Sequence, residues 1–98
     1  MTGSTRTSAD LDVRRRRILF RSWHRGLREM DLLMGRFADA EIGTMSDDDL
    51  LAFERLIEVP DADLYRWITG ELATPSKDDS PVLRRLKAFH THDAALYG

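Results

Sequence analysis

Two guanidinium groups, an imidazole and two carboxylates fall within eight consecutive residues, His24-Arg25-Gly26-Leu27-Arg28-Glu29-Met30-Asp31, with a glycine among them. Such groups can pair, hydrogen-bond bidentately or orient a docking partner. General-base work by His24 would need a nucleophile and an orienting group within reach, and no such grouping stands out in the chain. Arg25 and Glu29 are four apart and could form an ordinary helix-surface pair, worth a few tenths of a kcal/mol. That pair explains neither Gly26 nor the density of charge at this point. A glycine is favoured where the backbone needs an unusual dihedral or where another surface must come close. The residues therefore read as a protein-docking patch of His24, Arg25, Gly26, Arg28, Glu29 and Asp31, with Arg21 one turn before it.

Other constellations are weaker. Arg14-Arg15-Arg16-Arg17 could contact phosphates, making a nucleic-acid-binding regulator the alternative reading. Consecutive residues splay around a helix, however, and the acidic remainder of the chain would repel a polyanion. A solvated face, or guidance toward an acidic partner, fits better. His90, His92 and Asp93 lack the ligand set of a metal site and read as a loose polar helix end. Asp47-Asp48-Asp49 is accounted for by helix capping. Trp23, Tyr65 and Trp67 could stack on a flavin, but aromatics at helical spacing suit a core, and at most one of Tyr65 and Trp67 should face out. A flavin carrier would also want a glycine-rich phosphate cradle, which the sequence lacks. No catalytic, metal-binding or cofactor-binding residue is assigned.

The elements that position the patch carry the helical period throughout. A first helix is expected from about Leu11 to His24, with Leu11, Ile18, Leu19 and Trp23 inward. Gly26 breaks it. The second spans about Leu27 to Ile42, with Met30, Leu33, Met34, Phe37 and Ala38 forming one stripe and Gly43 as its C-terminal cap. Ser46 followed by Asp49 is a capping box for a third helix that turns Leu50, Phe53, Leu56 and Ile57 inward. Pro60 ends it. Asp61 should cap a fourth helix carrying Leu64, Tyr65, Trp67, Ile68 and Leu72, its last turn weakened by Gly70. After a loop at 73–79, Ser80-Pro81 opens a fifth helix bearing Val82, Leu83, Leu86 and Phe89. The expected fold is an all-α, compact bundle of five short helices. It occupies residues 11–91 as a single domain, between a disordered tail at 1–10 and a frayed end at 92–98.

With 98 residues, 42% apolar and 33% charged, the chain is a single globular domain too small for a large internal cavity. The absence of cysteine removes disulfides and thiol chemistry. No apolar run approaches the ~20 residues that span a bilayer, so no membrane insertion is expected. No secretory h-region opens the sequence. A cytoplasmic protein, monomeric when free, is expected. The net charge of −2 hides a basic first third and an acidic remainder, which predicts a polarised molecule.

The sequence resembles the succinate dehydrogenase flavinylation factors, the SdhE-like assembly proteins of bacteria and mitochondria. Their Arg-Gly-x-x-Glu motif is matched by Arg25, Gly26 and Glu29. The likeness continues through Met30-Asp31-Leu32-Leu33 and Phe37, and through Ser46-Asp47-Asp48 at a helix start. It includes Phe53-Glu54-Arg55-Leu56-Ile57-Glu58 and Asp61-Ala62-Asp63-Leu64-Tyr65-Arg66-Trp67, covering about residues 14–90. His24 departs from it, standing where many relatives have a second basic residue. The resemblance implies a five-helix assembly chaperone that binds the flavoprotein subunit of succinate dehydrogenase, or in some cases fumarate reductase. It implies promotion of covalent FAD attachment to a histidine of that partner. The bond-forming chemistry would be the partner's own, with FAD held by the partner and none tightly bound by this chain. Arg25, Gly26 and Glu29 would face the partner. The site would be the cytoplasm in a bacterium and the mitochondrial matrix in a eukaryote.

Overall fold

A computed structural model of the chain describes residues 11–92; the expectation for the tail at 1–10 lies outside this range, as does that for 92–98 except at His92, which is the last residue of a helix. Five α-helices follow one another: α1 (Val13–Trp23), α2 (Arg28–Glu41), α3 (Asp47–Ile57), α4 (Asp61–Thr69) and α5 (Pro81–His92). Short 3₁₀ turns at Ile42–Thr44 and Ser76–Asp78 complete the secondary structure, and no strand occurs among the described residues. The all-α bundle of five helices is what the sequence pattern predicts.

Each helix forms because an apolar stripe recurs at helical spacing and its ends find hydrogen-bond partners. Asp12 caps α1 by accepting from the Arg15 N–H at 2.8 Å. The Ser46 capping box is present, with Asp49 N–H donating to Ser46 Oγ at 3.2 Å and Ser46 N–H donating to Asp49 at 3.4 Å. Leu83 N–H donates to Ser80 Oγ at 3.1 Å, closing the start of α5. The stripes meet in one core of fully buried Met30, Met34, Phe37, Phe53, Leu64 and Leu86. Phe37 sits at its centre, 5.7 Å from the rings of both Phe53 and Phe89. Helix α1 packs along α2 and against α3, and α5 closes the bundle over α2, α3 and α4.

Several local expectations need correction. Gly43 does not cap α2 in the left-handed region; the chain tightens into the 3₁₀ turn there. Asp61 makes no capping bond, Pro60 occupies the N-cap position, and the Asp61 carboxylate is drawn elsewhere. Gly70 does more than weaken α4, because it ends the helix at φ +82 with its N–H on the Trp67 carbonyl. On α4, Leu64 and Trp67 are buried whereas Tyr65 is exposed, and Leu72 lies beyond the end of the helix, exposed. His90 is not part of a loose polar end: it is buried, with Nε2 2.7 Å from the Leu33 carbonyl oxygen.

One close contact escaped the sequence pattern. A Cβ added at Gly35 would lie 2.3 Å from the Trp23 ring. The indole at the end of α1 therefore lies directly on the backbone of α2, which fixes where α1 stops. That places the next four residues, the junction of the charged run.

Candidate functional site

The junction between α1 and α2 comprises His24, Arg25, Gly26 and Leu27, and each has a distinct local cause. His24 follows the last turn of α1, its backbone N–H reaching the Arg21 carbonyl. Its ring stacks on Phe20 with centroids 4.0 Å apart, and Nδ1 sits 2.7 Å from the Phe20 carbonyl oxygen. A carbonyl can only accept, so Nδ1 carries the proton and Nε2 faces away from this bond. Gly26 has φ +106, a region costly for L residues, while a Cβ there would meet nothing within 4 Å. The turn itself demands glycine, and the space beside it lies open to an incoming surface.

Arg25 departs most from the expected patch. Its side chain is only 6% exposed and turns into the protein. Nε donates to Asp61 at 2.7 Å, one terminal nitrogen donates to the Val59 carbonyl at 2.7 Å, and the other donates to the Ile57 carbonyl. Those carbonyls belong to the end of α3 and the turn after it, where the last helical carbonyls have no intrahelical donor. The Arg25 N–H meanwhile donates to the Asp31 carboxylate at 2.5 Å. Arg25 thus ties the α1–α2 junction to the start of α4, and Asp31 braces the same turn from α2. The Arg25–Glu29 surface pair allowed by spacing does not form, because Asp61 takes the guanidinium.

The turn then presents Gly26, Leu27, Arg28 and Glu29 to solvent, with His24 and Arg21 exposed on the flank. Glu29 and Asp31 sit in the first turn of α2, where the helix dipole favours negative charge. Two grooves flank the turn. One, of about 310 Å³, lies between the end of α1 and the α3–α4 connection, with Phe20, His24 and Asp61 in its walls. The other, of about 560 Å³, lies between α2, α4 and α5 and has Glu29 at its edge.

Half of the arginine run, Arg14 and Arg15, is committed within the chain, while Arg16 and Arg17 are exposed. Arg14 forms a bidentate pair with Glu54, its nitrogens 2.8 and 3.1 Å from the carboxylate oxygens. This bond holds the Glu54 carboxyl below its usual range and raises the guanidinium. Arg15 pairs with Asp12 and donates to the Ile42 carbonyl at 3.0 Å and to that of Met45. Arg21 pairs with Glu58 at 2.8 Å. The basic first third and acidic remainder are thus joined partner to partner along the α1–α3 seam, which offsets the polarity expected from sequence. Among the described residues no cluster of three or more His, Cys, Asp or Glu could hold a metal ion. Among the described residues no helix is long and apolar enough to cross a membrane.

A family profile described as the flavinator of succinate dehydrogenase matches residues 16–90, from α1 to the buried His90. The chain belongs to the succinate dehydrogenase flavinator family. It is 42% identical over 77 residues to the FAD assembly factor SdhE of Acetobacter pasteurianus, covering 79% of this chain and 71% of that protein. It is 36% identical over 86 residues to the mitochondrial succinate dehydrogenase assembly factor 2 of Debaryomyces hansenii, covering 84% of this chain and 61% of that one. The zebrafish (Danio rerio) protein of the same name is 37% identical over 86 residues, covering 86% of this chain and 54% of its own length. The chain therefore spans somewhat over half the length of these two mitochondrial relatives. No solved structure matches it. The Arg25, Gly26 and Glu29 motif of this flavinator-family member is divided between an internal brace, a strained turn and an exposed carboxylate.

Proposed function

We propose that this chain is an assembly factor that docks on the flavoprotein subunit of succinate dehydrogenase and promotes covalent attachment of FAD to a histidine of that subunit. Family membership and the names of the relatives support the partner and the outcome. The observation that carries the docking reading is the turn itself: Gly26, Arg28 and Glu29 are exposed, while Arg25 and Asp31 hold the backbone beneath them. A preorganised turn costs little entropy on binding, and its charges fix orientation more than they supply affinity.

The factor contributes no bond-forming group. It holds a conformation of the partner in which the acceptor histidine meets the flavin, which is catalysis by positioning. FAD is held by the partner, and fumarate reductase flavoprotein is a second client of the same class. The docking face comprises Gly26, Arg28 and Glu29, flanked by His24 and Arg21, with Arg25 and Asp31 beneath. The protein works in the compartment where its client folds, the bacterial cytoplasm or the mitochondrial matrix.

The test is in-gel flavin fluorescence of the denatured flavoprotein after incubation with FAD, with and without the factor. The wild-type factor should raise the covalently bound fraction, and Arg28→Ala with Glu29→Ala should reduce that gain while leaving the helical circular dichroism unchanged. Equal labelling with and without the wild-type factor would refute the proposal.

A further inference from the structure

The motif's own cation is turned away from its own anion. Arg25 spends its guanidinium on Asp61 and two carbonyls, and among the described residues no cation pairs with Glu29. That carboxylate stands at the edge of the groove of about 560 Å³ between α2, α4 and α5. Its lining also includes the aliphatic Leu32, Leu33 and Ile68, the exposed Tyr65 and the buried His90. Among these, His90 is held by the Leu33 carbonyl.

Resting on the docking reading above, we propose that this groove receives an arginine side chain presented by the docking partner. The chemistry is complementary at each part of such a side chain. The aliphatic stem lies along Leu32, Leu33 and Ile68, as long cationic side chains do on apolar surface. The planar guanidinium stacks on Tyr65 and offers two parallel N–H groups to the Glu29 carboxylate. Lysine fits less well, because its ammonium is a compact, strongly hydrated charge that neither stacks nor pairs bidentately. An acidic segment is disfavoured by Glu29 itself. The exposed turn and the groove share Glu29, so a partner touching Gly26 reaches the groove without a second footprint.

Two measurements test this separately from the proposed function. The first titrates the isotope-labelled full chain with capped Leu-Arg-Leu, Leu-Lys-Leu and Leu-Glu-Leu peptides, followed by NMR. The expected result is saturable shifts at Glu29, Tyr65 and Ile68 with the arginine peptide, at several-fold lower concentration than with lysine and absent with glutamate. Shifts elsewhere, no shifts, or equal shifts from all three peptides would overturn the proposal. The second measures binding to the apo flavoprotein subunit: Glu29→Gln and Tyr65→Ala should each raise Kd about tenfold, as for a contact residue in a hot spot, with Tyr65→Phe close to wild type. Both residues lie at the surface, so each variant should still melt cooperatively with only a small shift in Tm, which serves as the folding control. Wild-type affinity in both variants would remove the groove from the interface. Failure of the wild-type chain to bind the flavoprotein would sink the docking reading, and the peptide titration would still decide whether the groove takes a guanidinium.

Discussion

Arg25 spends its donors on the Ile57 and Val59 carbonyls and on Asp61, and Arg15 does the same with the Ile42 and Met45 carbonyls and Asp12. Both guanidinium groups finish distant helices, Arg15 from α1 at the end of α2 and Arg25 from the α1–α2 junction at the end of α3. Lysine has neither the planar fork nor enough fixed donors for this. Arg25→Ala should cost about 3 kcal/mol, the low end for breaking a buried pair, since Asp61 and two carbonyls lose their donor. Arg25→Lys should recover only part of that loss, as read by chemical denaturation. Gly26→Ala should cost about 1–3 kcal/mol from backbone strain alone, because no neighbour crowds the position. Gly26 and Glu29 were legible in the sequence as an exposed, chemically loaded junction. The inward turn of Arg25 was not, because Asp61 lies 36 residues away and reads locally as a helix cap.

The helices themselves were the most legible elements. The apolar stripes of α1, α2, α3 and α5 name their buried residues, and Ser46 with Asp49 predicts the start of α3 to the residue. Ser46→Ala should cost about 1 kcal/mol, near the typical value for removing a cap, and shift Tm by several degrees in a domain of this size. Where helices meet, local pattern gave out. Gly35 lies beside the apolar stripe of α2, not on it, and carries no signal in the sequence, yet it lets Trp23 rest on the α2 backbone. Gly35→Ala should destabilise by about 1–3 kcal/mol through overpacking, despite the higher helix propensity of alanine. His90 was misread for a similar reason: its partner, the Leu33 carbonyl, comes from another helix. Exposed Tyr65 beside buried Trp67 is what their placement on different sides of α4 predicts, whereas Leu72 lies past the Gly70 stop and stays exposed.

At the scale of the molecule, the charge asymmetry along the sequence becomes a seam of ion pairs in space. Arg14, Arg21 and Arg25 meet Glu54, Glu58 and Asp61 in the same order along the chain. The exposed members contribute modestly and are screened by salt. Their titration still has a definite sign. Asp12, Glu54 and Asp79 each have a lowered carboxyl pKa in the folded chain, Asp12 mainly through the Arg15 backbone N–H and the other two through arginine side chains. The unfolded chain therefore binds more protons than the folded one as pH falls through the ordinary carboxylate range. Stability should be fully present above that range and decline below it, as followed by urea denaturation at a series of acidic pH values. High salt should flatten the decline.

The central claim is that the α1–α2 turn is a contact surface shaped by Gly26, with no chemistry of its own. Chain assembly by chemical synthesis allows D-alanine in place of Gly26, which accepts the positive φ without strain and adds one methyl group to the turn. The measurement is covalent flavin on the denatured flavoprotein per mole of folded factor, compared with wild type. Wild-type thermal stability and a loss of most of the factor-dependent flavinylation are expected. Full flavinylation with the D-alanine protein would contradict the claim, because the space beside Gly26 would then not be where the partner comes close.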